Sequence, residues 1–239
     1  MDDVLSEPDI AEHYDPNKLT GFIAFSGPGV LWVSYLCRGG KILNNAVVHD
    51  TQAGEGEEDL WHSSVTKEQV LKHLDSFNPA LKKIVNMASE DGITAHHLFK
   101  RPALESFVRG RALVVGDAAH VMLPTHAAGG AVSIESAAAL EVLFRGVRGD
   151  DEVAIKRRLE LFDKLRVPRC NLTMLASNAG PRWLEAPGTE EEIRKFYHGP
   201  LPPAGTPPWT KPFREVLFHH DAYRAAEEAL AGDSSEIRN

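Results

Sequence analysis

The chain has 239 residues, of which 43% are hydrophobic and 25% charged, and its formal net charge is -8. This length supports one domain or two small ones, and the ordinary composition excludes a disordered or fibrous chain. Acidic and basic residues are interleaved under a negative balance, so no polyanion-binding surface and no nucleic-acid partner is expected.

The start, Met1-Asp2-Asp3, lacks the basic-then-apolar pattern of a signal peptide, and no apolar run reaches the length of a membrane span. A cytoplasmic protein is therefore expected, with Cys37 and Cys170 as reduced, packed thiols. Residues 21–48 read as strands. Gly21 to Phe25 leads to the turn Ser26-Gly27-Pro28-Gly29, and Val30 to Cys37 is rich in β-branched and aromatic residues. Arg38-Gly39-Gly40 punctuates it, and Lys41 to His49 is the hairpin partner. Residues 50–59 form an acidic loop with glycines.

Helices follow. Thr66 caps one through Leu74, and Asn78-Pro79 opens another, with proline tolerated in the first turn. Ala112-Leu113-Val114-Val115 is a short apolar run ending at Gly116-Asp117, the pattern of a strand buried on both faces. After Gly129-Gly130 a small-residue helix is expected to about Phe144. A long helical stretch follows from about Asp151 to Ser177, interrupted or kinked at Pro168. Thr189 and Glu192 have capping-box spacing. Prolines crowd residues 199–212, predicting an extended arm, and Asp221 to Leu230 reads as helix. The expected divisions are 1–110 (strands and short helices), 111–198 (strand–loop–helix and long helices) and 199–239 (arm and terminal helix).

Residues 111–140 carry the chemistry. Asp117, directly after a strand, can accept hydrogen bonds from a polyol or simply cap a turn. Ala118 and Ala119 leave room for a bulky ligand. Gly129 and Gly130 bring unshielded N–H groups to a helix start, where the positive end of the helix dipole suits an anion; a tight loop is the alternative use. Tyr35 can orient or deprotonate a phenol, or pack as a strand tyrosine, and Arg38 can bind an anion or end a strand. His126 is an acid–base candidate, and His120 is an anchor for its loop. The pairs His96-His97 and His219-His220 lack metal-ligand spacing, so no metal site is expected.

Gly116-Asp117-Ala118-Ala119-His120, with Pro124, Gly129 and Ile134-Glu135, resembles the second flavin-binding motif of class A monooxygenases of the salicylate hydroxylase type. Gly27-Pro28-Gly29 with Tyr35, Arg38-Gly39-Gly40 and Asn44 is similar to that family's substrate-domain strands. Arg166-Val167-Pro168-Arg169 with Ser177 and Gly180, and His220-Asp221-Ala222-Tyr223, are similar to its later helices. The resemblance covers about residues 21–230. It implies a mixed α+β and α/β architecture: part of a PHBH-like flavoprotein monooxygenase fold, with substrate-domain strands, the second flavin motif and C-terminal helices. It also implies FAD as cofactor, weakly held or absent without the N-terminal half, with NADPH as reductant if the protein is active. Gly116, Asp117, Pro124, Gly129 and Gly130 would be the cofactor-binding residues, with Asp117 on the ribityl chain and the glycine helix facing the ring. Tyr35 and His126 are the catalytic candidates.

The departures are specific. The family usually has glycine where Ala127 stands and aspartate where Ser136 stands. A Gly-x-Gly-x-x-Gly fingerprint, which would seat a pyrophosphate on a helix start, does not occur in the 239 residues, and Asp91-Gly92 lies too near the flavin motif to be the family's downstream Asp-Gly pair. The resemblance thus implies that the half gripping the adenine end lies outside this sequence. The strand ending at Gly116 would then present an apolar edge, and a homo-oligomer or a complementary N-terminal chain is expected to cover it. Three functions are open. One is an FAD-dependent hydroxylase or epoxidase of an aromatic or polyketide-like small molecule in secondary metabolism, incomplete alone. The others are a flavin-free isomerase, cyclase or hydrolase on the same scaffold, and a non-catalytic truncated remnant.

Overall fold

Residues 1–11, 13–15, 21–50 and 62–236 are described by a computed structural model. They divide into two units, Met1–His97 and Leu98–Asn239.

The first unit opens with two single-turn helices, α1 (Asp2–Leu5) and α2 (Pro8–Ala11). An antiparallel meander follows, of β1 (Phe22–Gly27), β2 (Val30–Cys37) and β3 (Ile42–His49). The predicted turn is tighter than the sequence suggests. Ser26 and Gly27 stay in the ladder, Gly27 pairs with Val30, and only Pro28 and Gly29 make the reversal, with Gly29 at φ +67°. Proline fixes the first turn position and glycine supplies the positive φ of the second. Along β2 the side chains alternate, so Trp32 and Ser34 are buried while Tyr35 faces away, 40% exposed.

β4 (His62–Ser64) pairs with β5 (Thr94–His96), and α3 (Lys67–Lys72) and α4 (Pro79–Met87) lie between them in sequence. Thr66 and Gln69 form the complete reciprocal capping box at α3, and Asn78 Oδ1 accepts from the Ala80 N–H at α4. Ile10, Tyr14, Trp32 and Leu74 are fully buried, joined by Leu81, Ile84 and Val85 of α4. Each large apolar side chain removed from water in this way contributes about 1.5–3 kcal/mol. The core also holds a neutral polar cluster. Tyr14 donates to Ser34 Oγ (3.1 Å), Trp32 Nε1 donates to Ser34 Oγ and Asn45 Oδ1 (2.9 and 3.1 Å), and Ser34 donates to Asn45 Oδ1 (2.7 Å). Arg38 sits exposed in the β2–β3 turn at φ +51°, where it ends the strand. Most of the acidic loop expected over 50–59 lies outside the described residues.

The second unit begins with a hairpin, β6 (Val108–Arg109) and β7 (Ala112–Leu113). Here the sequence expectation is corrected. The ladder ends at Leu113, and Val114 and Val115 are 37% and 42% exposed rather than buried on both faces. Continuous apolar runs report buried strands only when neighbouring strands cover them, and among the described residues the partner of this run is one two-residue strand.

The helices follow as α5 (Asp117–His120), a 3-10 turn at Pro124–His126, α6 (Gly129–Phe144) and α7 (Glu152–Ala179). A 3-10 turn at Trp183–Glu185, α8 (Thr189–Arg194), α9 (Lys211–Phe218) and α10 (Ala222–Glu236) complete the unit. α7 runs through Pro168 without a break, and Asp151 caps its start by accepting from the Ala154 N–H. Thr189 is the first helical residue of α8, not its cap; Gly188 at φ +76° takes the cap position. The proline-rich segment ends earlier than expected, because α9 begins at Lys211 with Pro212 in its first turn. α6 packs on α7 and α10 through Ala139, Val142, Leu143, Phe162 and Ala226, all at most 2% exposed. No helix among the described residues is long and apolar enough to cross a membrane.

Candidate functional site

The candidate site is built where β7 gives way to α5 and α6. Gly116 makes the break. Its φ of +61° and ψ of -143° belong to glycine alone, and the Ala119 and His120 N–H groups fold back on its carbonyl at 2.8 and 2.9 Å. A Cβ added to Gly116 would lie 3.4 Å from Ser133 Oγ, so this turn rests on the first turns of α6. Asp117 stands at the start of α5, exposed, and its carboxylate accepts no hydrogen bond from the described residues.

The start of α6 is open. Ala128 at the cap position offers no side-chain acceptor, and the N–H groups of Gly129, Gly130 and Ala131 have no acceptor among the described residues. Uncapped N–H groups at the positive end of a sixteen-residue helix attract an anionic or strongly accepting group. Space is available as well: a Cβ at Gly130 would meet nothing within 4 Å, and one at Gly129 only Met122 Cγ at 3.9 Å. An exposed carboxylate for hydroxyls, an open helix start and bare backbone fit a flavin's ribityl chain and ring. No glycine-rich cradle of N–H donors for its pyrophosphate accompanies them in the sequence.

Pro124 opens the 3-10 turn and is exposed, whereas His126, which ends that turn, is 1% exposed. The His126 ring is 3.2 Å from Ser177 Oγ through Nδ1, leaves Nε2 unpartnered, and lies against Trp209 and Phe213 at centroid distances of 5.9 and 5.3 Å. Burial lowers its pKa to about 4, so the imidazole is neutral across the physiological range. His120 is fully buried, tilted against Phe107 at 6.4 Å, and burial likewise shifts it toward the neutral form. Ala127 has φ +51° and ψ +29°, the left-handed region that favours glycine, so the glycine expected there by resemblance has a backbone reason.

Sequence reasoning missed a buried charge cluster. Glu135 of α6 receives Arg169 through Nε at 3.0 Å and Nη2 at 2.8 Å, and Arg166 Nη2 at 3.0 Å. Arg166 also donates to Ser136 Oγ (3.1 Å) and the Val132 carbonyl (3.0 Å), while Arg169 donates to the carbonyls of Val216 and Leu217, both at 2.8 Å. Burial pushes the Glu135 carboxyl up, but the two guanidinium groups outweigh it and hold the pKa below the usual carboxylate range. The available signal was helical spacing: Arg166 and Arg169 are three apart on one face, as are Val132 and Glu135.

Six of the sequence-selected residues, Gly116, Asp117, Pro124, His126, Gly129 and Gly130, thus fall in one loop–helix region of the second unit, with Asp117 and Gly130 exposed and His126 enclosed. Tyr35 belongs to the first unit, on the outward face of β2 opposite Phe22 and Asn44. A half-open cleft of about 500 Å3 lies elsewhere in the second unit, between Pro168, Pro202 and Val216, and none of these seven residues lines it. Among the described residues no group of three or more His, Cys, Asp or Glu is placed to hold a metal.

The profile of the family described as FAD binding domain matches residues 4–154. The FAD-dependent monooxygenase cfoG of Aspergillus candidus is 31% identical over 200 residues, covering 83% of this chain and 43% of that protein. Hispidin-3-hydroxylase of Neonothopanus nambi is 28% identical over 145 residues, covering 61% and 33%. The fold matches a salicylate hydroxylase substrate complex with a TM-score of 0.63 at 19% identity, covering 95% of this chain and 53% of that one. The chain spans less than half the length of these two curated relatives. By its sequence profile, this chain belongs to the FAD-binding family of aromatic-hydroxylase-like flavoproteins.

Proposed function

We propose that this chain forms the ring-facing and substrate-facing part of an FAD-dependent monooxygenase acting on a small aromatic or polyketide-like molecule. The observation that carries the reading is the uncapped Gly129–Gly130 helix start beside the exposed carboxylate of Asp117. The relatives' names support the substrate class, since one of them hydroxylates hispidin. FAD, reduced by NADPH, supplies the oxygen-activating redox chemistry when bound; the protein contributes binding, orientation and electrostatics.

Each residue then has a defined task. Asp117 accepts hydrogen bonds from the ribityl hydroxyls. The N–H groups of Gly129, Gly130 and Ala131 stabilise negative charge on the ring, and both glycines let it approach the backbone. Gly116 and Pro124 fix the path of the loop. Tyr35, on the exposed face of β2, orients or deprotonates a phenolic substrate. His126 holds its loop through Ser177, and serves as a proton acceptor only for a group that reaches its buried Nε2. A second copy or a complementary chain, in the cytoplasm, covers Val114, Val115 and the 73%-exposed Ile134.

The test is the visible spectrum of the purified chain after incubation with excess FAD and desalting. FAD is expected to be held weakly by the chain alone and retained when a complementary N-terminal half is added, with Asp117→Ala weakening that binding about tenfold or more, as loss of a charge-assisted hydrogen bond does. A chain colourless by itself loses only the self-sufficient form of the reading; one that stays colourless with the complementary half present overturns it.

A further inference from the structure

Two contacts made by one short segment bracket the open helix start. At position 126, ahead of Gly129, the His126 ring is covered by Trp209 and Phe213. At position 135, behind it, the Glu135 carboxylate is gripped by Arg169, whose guanidinium also takes the Val216 and Leu217 carbonyls in the last turn of α9. Those carbonyls have no helical N–H to receive, so a cation there both satisfies them and complements the negative end of the helix. Trp209, Phe213, Val216 and Leu217 all belong to residues 209–218. The left-handed φ of Trp209, +67°, bends the chain into α9 at this point, and its ring stacks on Phe218 at 5.9 Å.

We infer that residues 209–218 form a clamp that positions the Gly129–Gly130 helix start, with the Trp209–Phe213 pair on His126 as one jaw and the Arg169–Glu135 bridge as the other. The connection is physically continuous on both sides. His126 is three residues before Gly129, with Ala127 strained between them. Glu135 lies on α6 itself, and Arg166 ties it to the Val132 carbonyl, one turn into the helix. An open glycine start needs such support: it has neither a side-chain cap nor Cβ atoms of its own to restrict the backbone. Trp209, Phe213, Arg169 and Glu135 are positioning residues in this scheme. None of them is assigned to touch flavin or substrate. That the helix start serves a flavin rests on the function proposed above; the clamp itself does not.

The test is amide hydrogen exchange on the full chain without added FAD, so a failure of flavin binding leaves it decisive. Trp209→Ala and Glu135→Gln are each expected to speed exchange at the hydrogen-bonded amides of residues 124–135, Ala127 and Val132 to Glu135, by about tenfold or more, while the start of α7, residues 152–160, is unchanged. Trp209→Phe, which restores a ring, is expected to return the exchange near the parent value. Leu143→Ala, a core deletion at the far end of α6, serves as the control and is expected to raise exchange over the α6–α7 core without singling out 124–135. If Glu135→Gln does not fold, the half-buried Trp209 pair of variants carries the test. Unchanged exchange at 124–135 in Trp209→Ala, or a rise equal to that across the whole unit, overturns the clamp.

Discussion

The two units each bury a polar cluster, and the clusters are built on opposite principles. In the first unit the Tyr14–Trp32–Ser34–Asn45 cluster is neutral, and strand register assembles it: Ser34 and Asn45 are direct cross-strand partners. In the second, two arginines at 1% and 4% exposure share one carboxylate, and helix faces 31 to 34 residues apart in sequence bring them together. A neutral cluster that loses a member leaves one donor or acceptor short. A charged cluster that loses its only anion leaves two desolvated cations, a much larger penalty. The difference teaches where each unit is brittle.

The largest effect is therefore expected from Glu135→Ala, which should destabilise the second unit by about 3–5 kcal/mol in urea titration. Next is acid. His126 has a folded pKa of about 4 against an ordinary value of 6.5, so below pH 6.5 the unfolded chain takes up a proton that the native ring refuses. Stability from this group is complete above pH 6.5 and declines as pH falls to about 4, by up to about 3 kcal/mol. Unfolding curves at pH 7 and 4.5 should show a smaller pH difference in His126→Leu than in the parent. A parent without that excess would show the ring to be solvated.

Ser34→Ala comes third. It strands the Tyr14 hydroxyl and should cost about 1–3 kcal/mol; a loss as large as that of Glu135→Ala would erase the contrast between the clusters. Ala127→Gly should stabilise by about 1 kcal/mol by relieving a left-handed alanine. Smallest is Glu141→Gln. It opens the ion pair with Arg145, whose side chains are 52% and 62% exposed, and the melting midpoint should stay at the parent value.

What the sequence revealed depended on how local each signal was. The meander, the Thr66 cap and α6 from Gly129 to Phe144 were legible because turn residues, caps and side-chain periods lie within a few residues of one another, whereas the capping box expected at Thr189 is found at Thr66 and Gln69 instead. The flavin-type loop was legible for the same reason. The Arg166–Glu135–Arg169 cluster was not, although each of its residues had been quoted for the resemblance, because nothing in a linear pattern says which distant helix face a charge will meet. Tyr14 was silent too: a single aromatic before the strands carries no period. Val114 and Val115 misled in the opposite direction, since an apolar run states a preference for burial but not the presence of a cover.

Gly116 shows what a residue without handedness permits. Its φ of +61° and ψ of -143° are close to the mirror image of polyproline II geometry, so at one position an L-chain takes a step that belongs to a D-residue. The direction of Asp117 depends on that step. Any L-side chain placed there would have to reverse it and turn the carboxylate elsewhere, even with the rest of the motif intact. The loop's recognition chemistry is thus carried in part by a residue that offers no side chain: its contribution is stereochemical, and it would survive only in a D-amino acid made by synthesis.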